Sequence, residues 1–276
     1  MATILGSPEL ASWPLSAAEL ELARRPVEGF GSLASEARER ASGPLRRRPP
    51  GGVEAGGRGQ PAGDAGMARA ELWVRSAEGW RPVSPDEWKW VRELAAHRLD
   101  RLLGFDLVPT TVARALGPEG VGALQEWVEG RRGGASQHRS SYYEIPDRSR
   151  QQLAVLDYAI ANPDRTVENL ILRPDGRPAA IDHGDAFPAR AEDQRLSSDF
   201  VAERLGLRLA PEVLEAVRRL DLGEVYRMLR ATGLGHEAAE GVLARLREIR
   251  ERGRITGEAW PGAIVSSRGL VRRPRG

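Results

Sequence analysis

NPDRTVENLILRPDGRPAAIDHG, residues 162–184, is the stretch on which the fold turns. It opens as a Pro-Asp loop, enters the apolar run LILR, turns at Pro174–Arg177 and returns through PAAID. Two apolar runs around a Pro-Asp-Gly turn predict a β-hairpin. A hairpin brings the chain back to its starting end, so Asn169 at the entry and Asp182 at the exit are predicted to face one another. Asp164 precedes Asn169 with four residues between them, and Gly184 follows Asp182 by two. Oxygen donors placed this way suit magnesium, which takes carboxylate and phosphate oxygens in preference to nitrogen or sulfur. An aspartate ahead of them can orient an attacking hydroxyl and accept its proton.

The same order defines the protein-kinase signature: a catalytic-loop Asp, four residues, a metal-binding Asn, then an Asp-x-Gly metal motif. Asn162 and Asn169 are moreover the only asparagines of the chain, seven residues apart. A chain that avoids asparagine elsewhere and places both in one segment points to a need for amide side chains there. The competing reading is an ordinary hairpin whose flanking Asp and Asn cap backbone groups.

Outward from this segment, the bulk numbers set bounds. The 276 residues suffice for one medium domain or a small two-lobed one. Absence of cysteine excludes disulfides, thiolate metal sites and cysteine nucleophiles. No apolar run approaches the ~18–20 residues of a membrane span, and MATILGSPELASWPLS lacks the basic start and apolar block of a secretory signal. A cytoplasmic location is therefore expected. The positive charge behind the net +2 is almost wholly arginine, Lys89 being the only lysine, and does not by itself indicate a nucleic-acid site.

Four regions are expected. Residues 1–67 hold a short helix near 16–25, with Ser16 and Glu19 as a capping box, and a Gly/Pro/Arg-rich flexible segment over 42–66. Residues 68–129 form a small lobe: a strand AELWVR (70–75), a helix 85–103 ended by Gly104, and two strands within 106–114 and 121–129. Residues 130–261 form a second lobe with a polar loop at 130–141, a core helix 148–161, the hairpin, and helices near 199–207, 211–220, 222–231 and 236–252. Residues 262–276 are expected as a basic disordered tail. The predicted fold class is α+β, two-lobed and protein-kinase-like, with a reduced N-lobe and a mainly helical C-lobe.

LDYAIANPDRTVENLILRPDGRPAAIDHGDAFP resembles the catalytic segment of the phosphatidylinositol 3- and 4-kinase-like superfamily, especially its small actinobacterial members. Weaker similarity extends over VRELAAHRLDRLLGFDLVPTTVAR and GALQEWVEG. The resemblance implies an ATP- and magnesium-dependent phosphotransferase. Asp164 would act on the acceptor hydroxyl, and Asn169 and Asp182 would hold Mg2+. It further implies that Glu93 pairs with a nucleotide-binding lysine and that Gln125, Glu126, Trp127 and Val128 form a hinge reading adenine. Leu170, Leu172 and Ile181 would pack under the base.

The chain departs from that pattern in two places. Arg75 stands where the family's strand lysine is expected, and an arginine fork does not replace a compact ammonium. A glycine loop over the phosphates is also missing. Lys89, four residues before Glu93, reads either as a helical ion-pair partner of that glutamate or as a phosphate-binding lysine moved from strand to helix. His183 reads as a packing or hydrogen-bonding side chain in preference to a metal ligand, Asp157 as a brace for the loop, and Asp185 as solvated in preference to a second metal-side carboxylate. The acceptor hydroxyl, in a lipid, protein or small molecule, stays open. The alternative to an enzyme is a pseudokinase that binds nucleotide or a partner. Nucleotidyl transfer through the same metal site is a third reading.

Overall fold

The first described helix, α1 (Lys89–Leu103), shows how the interior is assembled. Trp90, Val91, Leu94, Ala95, Leu99 and Leu103 recur at helical spacing and are buried. The helix stops at Gly104, in the left-handed conformation as expected. The following turn is pinned by Asp100, whose buried carboxylate accepts the N–H groups of Leu107 and Val108 at 2.9 and 3.0 Å. This computed structural model describes residues 16, 17, 19, 20, 69–71, 89–115, 121–126, 128–133, 142–189 and 194–272.

The protein is α+β. Strands β1 (Arg69–Glu71), β2 (Thr111–Ala115) and β3 (Val121–Gln125) form an antiparallel sheet in the order β1-β3-β2, with α1 against it. A second antiparallel sheet is ordered β4 (Arg131–Arg132), β5 (Leu170–Leu172), β6 (Pro178–Ala180). Its β5–β6 pair is the predicted hairpin, with Leu170 opposite Ala180 and Leu172 opposite Pro178. Helix α2 (Asp147–Ile160) is buried from Gln151 onward and carries the chain into the 162–169 loop. Helices α3 (Asp199–Arg204), α4 (Pro211–Arg219), α5 (Leu222–Ala231) and α6 (His236–Arg252) follow near their predicted positions. Among these, α6 locks to α2: Glu248 accepts the Tyr158 hydroxyl at 2.6 Å, and the Arg245 Nε donates to the Ala159 carbonyl at 3.0 Å.

Two expectations need correction. The stretch 262–276 is not simply a disordered tail. Strand β8 (Ala263–Ser266) pairs in parallel with β7 (Arg195–Ser197), and β9 (Gly269–Arg272) folds back on β8. Ile264 is fully buried and anchors the strand despite its arginine-rich surroundings.

The N-terminal helical turn carries the expected capping box and also reaches α1. The capping box forms, with Glu19 accepting the Ser16 N–H at 2.8 Å and its hydroxyl at 2.7 Å while Ser16 Oγ accepts the Glu19 N–H. The same carboxylate is buried against α1, 3.6 Å from His97 Nε2 and paired with Arg101. Finally, the 130–141 loop begins as strand β4. Gly133 lies so close to the Val167 carbonyl that a Cβ there would fall 2.0 Å from it, so only glycine fits. The predicted strand end at Arg75, the helix start at 85–88, the 42–66 segment and Trp127 lie outside the described residues.

Candidate functional site

Helix α2 ends at Ala161 in the left-handed conformation, which turns the chain sharply into Asn162. The side chain of Asn162 then shapes the loop: its Oδ1 accepts the Asp164 N–H at 3.0 Å and its Nδ2 donates to Asp157 at 3.3 Å. Asn169, at the far end, donates from Nδ2 to the Asp164 carbonyl at 2.8 Å. Both rare asparagines thus hold the backbone of Asp164 from opposite sides, which accounts for their clustering.

Behind the loop sits a buried ion pair. Arg165 and Asp157 have no exposed side-chain surface, and Nε lies 3.0 Å from Asp157 Oδ1. Asp157 also accepts the Ser198 hydroxyl at 2.8 Å, so it braces the loop as the sequence suggested. Arg165 Nη1 donates to the carbonyls of Asn169 and Ile181, both at 2.8 Å. The Ile181 N–H in turn donates to the Asn169 carbonyl at 3.1 Å. One guanidinium therefore ties the hairpin's entry to its exit, and Asp182 is the next residue. Strand β7 completes the frame, with the Arg165 N–H bonded to the Ser197 carbonyl and the Ser197 N–H to that of Asn162.

Asp164 and Asp182 are exposed while their sequence neighbours Arg165 and His183 are buried. Asp164 has its pKa raised, by partial burial first and then by the negative charge of Asp182, with a smaller contribution from Asp185. Asp182 carries φ +62°, a left-handed conformation uncommon for a residue other than glycine and a recurrent feature of functional loops.

Helix α1 grips the loop after Asp182. Glu93, nearly fully buried, accepts the His183 N–H, and its other oxygen lies 3.2 Å from His183 Nδ1. Burial lifts the Glu93 carboxyl to about 8, the His183 N–H bond opposing and the Asp182 charge adding to the rise. Burial also depresses His183 to about 3, helped by the charge of Arg165. Among the described residues, Glu93 is thus a brace for the His183 backbone, where the sequence expected a lysine partner. Lys89 does not pair with Glu93 either. Its ammonium meets Asp185 at 2.9 Å, so Asp185 is not merely solvated.

The base-side residues are spread along the hairpin and β3. Gln125 is half-buried and donates from Nε2 to Thr111 Oγ1 at 3.0 Å, and the Glu126 N–H is engaged by the Thr110 carbonyl. Val128 and Leu172 are buried, and Ile181 is half-buried. Two cavities flank the hairpin's turn. One of about 340 Å³ is lined by Gly130, Arg131, Glu144, Leu172, Arg173, Pro174 and Gly176. The other, of about 330 Å³, is lined by Glu126, Val128, Glu129, Arg173, Pro174 and Asp175. Neither reaches Asp164, Asn169 or Asp182. They sit at the turn end of β5–β6, whereas the carboxylates sit at its open end, roughly 10 Å away along three strand residues.

The donor chemistry at the open end fits a hard divalent cation. Asn169 supplies an amide oxygen whose nitrogen is already committed, and Asp182 an exposed carboxylate whose charge raises the pKa of Asp164. Among the described residues there is no cluster of three or more His, Asp or Glu that would hold a metal unaided, so phosphate or water oxygens would have to complete a shell. No helix of the described residues is long and apolar enough to cross a membrane. Arg165 and Arg92 are contributors that the sequence left unassigned, and the Lys89–Asp185 pairing was not foreseen because it joins residues 96 apart. No protein-family model matches the chain, and no curated protein matches it.

Proposed function

We propose that the protein is an ATP- and magnesium-dependent phosphotransferase on a two-lobed kinase-like fold with a divergent small lobe. One observation carries the proposal. Asp164 and Asp182 are both exposed, and the negative charge of Asp182 is felt at Asp164, on a loop and hairpin whose interior is locked by Arg165, Asp157 and both asparagines.

In this role Asp164 orients the acceptor hydroxyl and takes its proton, its raised pKa making it a better base than a free aspartate. Asn169 and Asp182 would hold Mg2+, which neutralises charge developing on the transferred phosphoryl oxygens. Arg165 ties the Asn169 carbonyl to that of Ile181, the residue before Asp182, and Glu93 holds the N–H of the residue after it. Gln125, Glu126, Trp127, Val128, Leu172 and Ile181 would form the base side, and Arg75 stands in the sequence where the family's lysine is expected. The acceptor is a hydroxyl in a lipid, a protein or a small molecule. The cytoplasm is the expected setting.

The test is transfer or hydrolysis of labelled ATP with magnesium. Asp182→Ala is expected to abolish turnover, and Asp164→Ala to lower it by ~10²–10⁴. Binding of ATP·Mg with no turnover in the wild type selects the pseudokinase reading. Label arriving as AMP selects nucleotidyl transfer. Equal ATP·Mg binding by wild type and Asp182→Ala, with turnover in neither, ends the enzyme reading.

A further inference from the structure

We propose that the N-terminal turn is a regulatory latch: by seating Glu19 on the far end of α1, it fixes the helix that holds the loop after Asp182. Its bearing on catalysis rests on the phosphotransfer reading, whereas the coupling between turn and loop does not.

Helix α1 makes two polar grips. Glu93, His97 and Arg101 follow at intervals of four residues, which aligns them in one stripe along the helix. At the near end, Glu93 accepts the His183 N–H and Arg92 donates to the Gly184 carbonyl at 3.1 Å. At the far end, roughly 12 Å along the axis, Arg101 pairs with Glu19, and His97 Nε2 lies 3.6 Å from the same carboxylate. The far grip is made by charge. Glu19 has no exposed side-chain surface, whereas Leu20, the next residue of the turn, is 41% exposed. The Ser16 N–H and hydroxyl both donate to the Glu19 carboxylate and aim it at the helix.

Arg98 makes that carboxylate hard to dispense with. It is 3% exposed, and among the described residues its Nε and Nη1 have no hydrogen-bond partner. Burial pulls the Arg98 guanidinium down to about 10, and the Glu19 charge opposes the fall. One carboxylate thus offsets two guanidinium groups, one of them buried. Without it the Arg98 charge is stranded, a state relieved by moving the group toward water. Turning α1 to let Arg98 reach water carries Arg92 and Glu93 with it, because the helix is one continuous element of 15 residues. The grip on His183 and Gly184 then slackens, and the backbone beside Asp182 loses its brace. An acidic partner segment that takes the place of Glu19 on Arg98 and Arg101 would act on the loop from this remote surface.

Hydrogen exchange measured by mass spectrometry on the full chain tests the latch without any need for turnover. Glu19→Gln keeps the size of the side chain and removes its charge. The expected result is exchange about 10- to 100-fold faster both in the turn and in the loop peptide that holds the His183 and Ala186 amides, as for a lost charge-assisted contact, with α6 unchanged. Arg101→Gln should give the same pattern from the other side of the contact, and the two substitutions together should add little to either alone. Faster exchange in the turn alone, with the loop at its wild-type rate, overturns the latch and marks the turn as a passive appendage. A uniform rise that includes α6 also overturns it, since it reports lost global stability. So do additive effects of the two substitutions, which would mean that they act through separate contacts. The expected exchange pattern in a wild type that neither transfers nor hydrolyses labelled ATP supports the latch and counts against the phosphotransfer reading alone.

Discussion

Asp164 and Arg165 are adjacent in sequence and opposite in surroundings, and Asp182 and His183 repeat the contrast. On the inner side, Arg165, Asp157, Asn162 and Ser198 exchange hydrogen bonds within a dry layer. On the outer side, Asp164, Asp182 and Asp185 are exposed. The lesson concerns division of labour. A carboxylate can be left open and repelled by its neighbours only if the backbone beneath it cannot yield. Here the inner layer supplies that rigidity by bonding main-chain groups of Asp164, Asn169 and Ile181.

The contrast can be broken most forcefully from inside. Arg165→Ala strands Asp157 as a buried charge and unties two carbonyls, so a loss of about 3–5 kcal/mol is expected in denaturant unfolding. A loss below about 1 kcal/mol would show that the inner layer is not what holds the loop. From outside, Asp164→Asn should cut phosphotransfer by ~10²–10⁴ while leaving stability within about 0.5 kcal/mol. Asp182→Gly sharpens the point further. It should abolish transfer yet raise stability by up to about 1 kcal/mol, because glycine accepts the left-handed backbone at no steric cost.

The Glu93–His183 contact predicts a pH profile with two limbs. Burial lifts Glu93 from 4.5 to about 8, so the native state keeps a proton that the unfolded chain releases, and stability falls as pH rises through that window. Burial lowers His183 from 6.5 to about 3, so the native state refuses a proton that the unfolded chain takes, and stability falls as pH drops through that range. Thermal melts across pH should therefore be highest between the two limbs. Glu93→Gln should flatten the alkaline limb and spare the acid one.

The smallest effect is expected at the N-terminal turn. Burial pushes the Glu19 carboxyl up, but the nearby His97 ring and the hydrogen bonds from Ser16 outweigh it and bring it from 4.5 down to about 2. Its contribution is thus present above 4.5 and lost as pH falls toward 2, so the turn should loosen in acid before the rest unfolds. Hydrogen exchange at the Leu20 amide, bonded to the Ser16 carbonyl at 2.9 Å, reports this locally. Simultaneous loss of protection at Leu20 and in α2 would contradict it.

Local order was written into the chain itself. Apolar spacing placed α1, α2 and the four later helices, the Pro-Asp-Gly turn placed the β5–β6 hairpin, and the Ser16–Glu19 pair announced its own capping box, because periodicity, turn chemistry and capping act within a few residues. The candidate loop was legible for the same reason, Asp164, Asn169 and Asp182 being spaced by one loop and one hairpin. What only tertiary structure decided were contacts across long separations: Lys89 on Asp185 rather than Glu93, Glu93 on the His183 backbone, Glu19 on His97, and β8 beside β7. Charged side chains of one sign look alike along a sequence, and which partner each meets depends on packing that brings remote segments within a hydrogen bond's reach. The arginine-rich end looked too polar to order, yet one buried isoleucine and the open edge of β7 were enough to recruit it.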